Sequence, residues 1–270
     1  MIAAHGRYYL HDGSVGRMNM SSIEIGSITF AFAFGGGMLG MLLRTALPER
    51  HMNSDSKDAV KVTMALVSTM SALALGSLIA SAKSSYDTQK NELTDMSSRV
   101  ILLDRVLAHY GPEAKEARDE IRRSVVGAIE QMWSNDRTGL SQSEPVSASP
   151  EALYDKVQSL APKNDAQHSA QSQALGLVIS LGQTRWLMYE QRASSGSVPM
   201  LMVLIFWLTA LFISFGLFAP RNATVYVTLL VSAMSVSFAI FLILELNNPY
   251  VGVIRISDAP LRSALAHLGK

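Results

Sequence analysis

Apolar positions along this chain gather into four long runs, and the polar positions are concentrated in one stretch between the second and third. The runs are Ile23–Leu47, Ala65–Ala82, Val198–Ala219 and Ala223–Leu246. A helix crossing a bilayer needs about 20 mainly apolar residues, each rising about 1.5 Å. Each run is therefore read as a transmembrane helix. The second run does not stop at its polar edge: it continues past Ala82 as KSSYDTQKNELTDMSSRVILLDRVLAHY without a Pro or Gly. This pattern predicts one continuous rod over Lys57–Tyr110, leaving the membrane as the spine of a water-exposed domain. Along the spine Leu93, Met96, Val100, Leu103, Leu107 and Tyr110 step by 3, 4, 3, 4 and 3 residues. That is the seam of a helix that packs on partners. Asp95, Arg99, Asp104 and Arg105 fall between these positions, on faces left for water, and Asp104-Arg105 reads as a structural charge pair.

The rest of the chain is placed relative to that rod. Residues 1–22 read as a polar leader, too hydrophilic for a signal peptide, and residues 23–82 as spans one and two. The loop Pro48–Asp58 is short, so these spans are expected as an antiparallel hairpin. Residues 83–197 form the helical insert. Gly111-Pro112 ends one helix and opens the next, which carries Ile121, Val125, Ile129 and Met132 at helical spacing. The segment 134–150 is Ser- and Pro-rich, Ser149-Pro150 starts a short helix reaching Leu160, and a last helix runs from about Asp165 through Leu175, Ile179, Gly182, Trp186 and Tyr189. Residues 198–246 hold spans three and four around a tight turn in which Asn222 begins a helix. Asn248-Pro249 stops span four, and the amphipathic tail 247–270 is expected on the insert or the membrane surface. The predicted fold class is an all-α integral membrane protein: four transmembrane helices in two hairpins, with a cytoplasmic helical bundle inserted between spans two and three.

Composition agrees with this division. Apolar residues make up 49% and charged residues 17% of the 270, there is no Cys, and the net charge is +1. Soluble domains carry about 25% charged residues. No basic stripe points to nucleic acid. Basic residues set the orientation: Arg7, Arg17, Lys83, Lys90, Arg185, Arg192, Arg255, Arg262 and Lys270 lie on one side, against Arg44, Arg50, Lys57, Lys61 and Arg221 on the other. The positive-inside rule puts both termini and the insert in the cytoplasm, in a bacterial inner membrane.

Candidate chemistry lies in the spans. Gly26, Ala33, Gly37 and Gly40 in span one, and Ser68, Ala72, Gly76 and Ala80 in span two, are small-residue faces suited to close helix contact. On the other side of span two lie Thr63, Ser77, Ser81, Ser84 and Ser85, and span four carries Thr228, Ser232 and Ser235. Of these hydroxyls, Thr63, Ser77, Ser81, Ser84, Thr228, Ser232 and Ser235 are the candidate pore lining. Glu24 and Glu245 lie near the cytoplasmic ends of their spans as candidate mouth charges, or as interfacial carboxylates pairing with Lys83, Arg192 or Arg255. Lys57 and Lys61 are the candidates on the opposite side. Scattered His residues, with His109 read as a helix-end residue, and the absence of a phosphate loop or nucleophile elbow argue against an enzyme and against a cofactor.

The phrases LPERHMNSDSKDAVK, ALALGSLIASAKSSYDTQ, LLDRVLAHYGPEAKEAR and ELNNPYVGVIRISDAPLRSAL resemble the bacterial bestrophin-like family, over about Gly36 to Leu268. The resemblance implies a distant relation to bestrophins, oligomeric chloride channels with a membrane part and a cytoplasmic helical part. It suggests a pentamer and an aromatic neck, for which Phe30 and Phe34 are candidates. The acidic run by which bestrophins sense calcium has no counterpart here. The reading is a homo-oligomeric channel for inorganic ions in the lipid bilayer. By resemblance it would carry anions, and by its interfacial Glu residues cations. The alternative is a non-conducting scaffold or sensor whose bundle binds a partner protein.

Overall fold

The computed structural model describes residues 21–46, 54–133, 150–193 and 198–270. Residues 1–20, most of the loop between the first two spans, the Ser/Pro-rich segment and residues 194–197 lie outside the described residues. Among the described residues all regular structure is helical: α1 (Ser22–Ala46), α2 (Ser54–Tyr110), α3 (Lys115–Trp133), α4 (Pro150–Gln158), α5 (Asp165–Ala193), α6 (Val198–Phe218), α7 (Ala223–Asn247) and α8 (Ala259–His267). A 3-10 turn, Pro112–Ala114, leads into α3. Four of these helices (α1, α2, α6 and α7) are long and apolar enough to cross a membrane. The rod is continuous as expected and starts three residues earlier than the pattern suggests. At about 1.5 Å per residue its 57 residues extend roughly 85 Å.

The lower half of α2 is the axis of a helical bundle. Leu93, Leu103 and Leu107 have no exposed surface, Val100 and Tyr110 are buried, and Met96 packs against them. Burying each such leucine stabilises by about 1.5–3 kcal/mol. Gly111 ends the rod with φ +127°, a backbone state open to glycine, and Ile121, Val125 and Ile129 of α3 then join the core. The spine's charges depart from expectation. Asp104 is 1% exposed, not turned to water, and it pairs with Arg118 of α3, not with Arg105. Arg105 instead donates to the main-chain oxygen of Lys270.

On α5 the structure adds which face is covered. The buried side is Ala174, Val178 and Met188, joined by Leu181, whereas Ile179 is 50% and Trp186 64% exposed. The tail lies on the insert: Tyr250, Ile256, Leu261 and Leu268 enter the same core. Trp133 supports this by donating from Nε1 to the Ile256 carbonyl at 2.8 Å and by meeting the Tyr250 ring edge-on at 5.7 Å.

In the membrane part, α1 is the centre. It runs parallel to α6, with Gly36 against Thr209 and Gly40 against Ile213, and antiparallel to α7, with Gly26 against Ser237 and Gly37 against Leu229. A Cβ on Gly40 would lie 2.0 Å from the Ile213 carbonyl oxygen, and one on Gly216 would lie 2.0 Å from that of Gly37. Main chain meets main chain here, which only glycine permits. The small-residue face of α1 is thus covered within the chain by α6 and α7. A packed hairpin of α1 with α2 is not what organises this part. Instead α2 meets α6 and α7, where Leu78 and Ala82 pack with Leu201, Leu204, Ile240, Ile243 and Leu246.

Candidate pore surface along the second membrane helix

The first half of α2 is the least covered of the four apolar helices. Its buried line is Ser71, Leu78 and Ala82. At about 100° per residue, the hydroxyl stripe and the small-residue stripe lie roughly 100–120° to either side of that line. Thr63, Ser77, Ser81, Ser84 and Ser85 are all exposed, and so are Ser68, Ala72, Gly76 and Ala80. A Cβ on Gly76 would meet nothing within 4 Å. Among the described residues, both faces are therefore exposed. The same half of α2 also exposes Val62, Leu66, Met70 and Leu73, which lie between and beside the two stripes. Helix α6 exposes Met200, Met202, Val203, Phe206 and Phe215.

The hydroxyls of α7 are exposed as well. Thr228 donates to the Thr224 carbonyl and Ser235 to that of Val231, each at 2.9 Å, while Ser232 lies between them on the same face. The interhelical hydroxyl bond in this region comes from Ser237, off the stripe, which donates to the Gly26 carbonyl at 2.5 Å.

The charged candidates are held in different ways. Glu24 and Ser21 form a reciprocal cap on α1: the Ser21 amide donates to Oε2 of Glu24 at 2.7 Å, and the Glu24 amide donates to Oγ of Ser21 at 3.2 Å. The signal was in the sequence as Ser-x-x-Glu before an apolar run. Glu245 is 3% exposed and does not pair with Lys83 or Arg255. Its Oε2 accepts the amides of Val253 at 2.6 Å and Ile254 at 3.1 Å. Gly252, at φ +117°, lets this turn close, since a Cβ there would come within 2.5 Å of Oε2. Lys61 is exposed and paired with Asp58 at 3.0 Å. Lys57 lies in the first turns of α2. Phe30 and Phe34 stack at 5.7 Å and pack, half-buried, against the cluster of Ala33, Phe212, Leu229 and Ala233.

Two cations that the sequence reading used only for orientation turn out to join helices. Arg44 donates to the Ala219 carbonyl at 2.5 Å and Arg221 to that of Met41 at 2.7 Å. Both lie where α1 and α6 finish, at helix C-terminal ends, where a positive charge is favoured. In the bundle, the Arg123 guanidinium and then Lys156 hold the Glu120 carboxyl below its ordinary value, against the opposing effect of burial. The bond to Asp104 raises Arg118. Burial pushes Arg185, on the buried side of α5, below the usual guanidinium range, and Glu151 opposes that. Among the described residues no three His, Asp or Glu side chains are grouped to hold a metal ion.

The family model of the bestrophin-like domain matches residues 31–261. No curated protein and no solved structure is similar to the chain. The match takes in most of α1, all of the rod and bundle, both later spans and the first turn of α8. With four helices fit to cross a bilayer, this chain is a membrane protein that belongs to the bestrophin-like family, a membership that points to the channel family in general.

Proposed function

We propose that this chain is the subunit of a homo-oligomeric channel through which inorganic ions pass passively beside α2. The observation that carries the reading is the bare first half of that helix, where a hydroxyl stripe and a small-residue stripe flank the exposed Val62, Leu66, Met70 and Leu73. Copies arranged in a ring, five by the family resemblance, would bury the Ser68–Ala80 face against a neighbour and turn Thr63, Ser77, Ser81 and Ser84 to the axis. Head-to-tail contacts of this kind close into rings. Hydroxyls replace part of an ion's hydration without fixing its sign, which the charged rings at the mouths then set. Glu24 serves the inner mouth and Lys57 with Lys61 the outer, while Thr228, Ser232 and Ser235 add hydroxyl surface. The bundle forms a cytoplasmic vestibule of the inner membrane, with both termini on its side, as the distribution of basic residues supports.

The test is flux from liposomes holding the purified protein, with potassium chloride compared against salts of impermeant anions or cations. Flux under either ionic gradient supports the channel and gives the ion sign. No flux at all would favour a scaffold or sensor whose bundle binds a partner protein.

A further inference from the structure

The chain after α7 is tied down by its main chain at three places, each on a different helix. At the membrane end the Glu245 carboxylate takes the amides of Val253 and Ile254. In the middle Trp133 of α3 holds the Ile256 carbonyl. At the far end Asp104 of α2 accepts the Gly269 amide at 3.2 Å while Arg105 donates to the Lys270 main-chain oxygen at the same distance. Between these ties Leu261 and Ala264 of α8 are buried, with α8 lying along α2 and α3. The segment therefore reaches from the inner end of a membrane helix to the tip of the bundle.

The membrane-end tie is built for a carboxylate. Both amides converge on one oxygen of a side chain that is almost wholly buried, and Gly252 provides the only backbone that closes around it. A buried carboxylate holding backbone amides is costly to leave unmet. Such a group ties α7 to the strap more firmly than apolar contact alone.

We propose that residues 248–270 are a strap that couples the inner end of α7 to the bundle tip, with Glu245 as its positioning residue, and that releasing the strap changes ion flux without changing ion preference. The regulatory half of this rests on the channel reading. The mechanical half does not.

Hydrogen exchange on the full-length protein in nanodiscs, with liposome flux alongside, tests both halves. Glu245→Ala and, as a milder variant, Gly252→Ala should speed exchange of the Val253 and Ile254 amides by roughly tenfold or more. Arg105→Ala combined with Asp104→Asn, which loosens the far tie by removing one of its bonds and weakening the other, should speed the same two amides, with α1 and α6 unchanged. Flux should change in all three variants with the reversal potential unmoved. Exchange at 253 and 254 that ignores the Asp104→Asn/Arg105→Ala double variant would overturn the coupling. Altered exchange with parental flux would overturn the regulatory role. A reversal potential that shifts in Glu245→Ala would make the residue a mouth charge instead. A parent without flux removes the channel reading and the regulatory half together, while the exchange data still decide the coupling.

Discussion

Glycines in the membrane part differ sharply in what surrounds them, and the difference can be measured. At Gly40 and Gly216 an added methyl would run into backbone that cannot move aside, whereas at Gly35 it would meet nothing within 4 Å. Overpacking costs typically about 1–3 kcal/mol and more against main chain. Gly40→Ala should therefore lower stability in detergent by about 3 kcal/mol, with Gly35→Ala within about 0.5 kcal/mol of the parent. Glu120 makes a second prediction. Its carboxyl is held below the ordinary value of 4.5, chiefly by Arg123. The folded state thus binds its proton less readily than the unfolded state does. The resulting stability is complete above the ordinary value and is lost as pH falls through the lower folded value. Melting temperatures followed from neutral pH to about 3 should show a shallower acid decline in Glu120→Gln than in the parent. The Ser21–Glu24 cap was legible from residue types alone. The tie at Glu245 was not, because its partners are amides, which every residue carries.

At the scale of elements, periodicity located the helices well and their buried faces unevenly. On α2 one apolar stripe stands out, and that stripe is the core. On α5 two stripes compete, one through Leu175, Ile179 and Trp186 and one through Ala174, Val178, Leu181 and Met188. The second is buried although it has less aromatic surface, and of the first only Leu175 packs against the core. Val178→Asp should then cost about 3 kcal/mol or more, the scale of an unpaired charge in a core. Ile179→Asp should stay within about 0.5 kcal/mol. Chemical denaturation in mild detergent, followed by circular dichroism, separates the two. Equal destabilisation by both would place α5 in the wrong rotation.

For the whole molecule the decisive quantities are sidedness and assembly. A single cysteine at Asn53→Cys should react with an impermeant reagent from outside, and one at Leu140→Cys only after permeabilisation; the opposite result would invert the proposed orientation. Gly76→Leu puts bulk where one chain has empty space, so it should leave the monomer folded and break the oligomer in nanodiscs. Ser81→Leu should leave the oligomer intact and stop flux by adding apolar bulk where water must pass. An unchanged oligomer in the first, or parental flux in the second, would mean that α2 presents these faces to lipid.

What the sequence determined by itself follows from local physics. Run length against bilayer thickness set the spans, Gly111-Pro112 and Asn222 set helix ends, and the 3-4 spacing set the seam of α2. Tertiary structure decided how these pieces meet. Asp104 and Arg105, adjacent in sequence, point about 100° apart on a helix and so find different partners. The glycines of α1 were legible as a contact face, but only packing chose α6 and α7 over the neighbouring α2, since any helix with a matching small residue can approach such a face. The tail's apolar residues were visible as amphipathic. The bundle rather than the membrane surface took them, because Trp133 and Asp104 hold its main chain there.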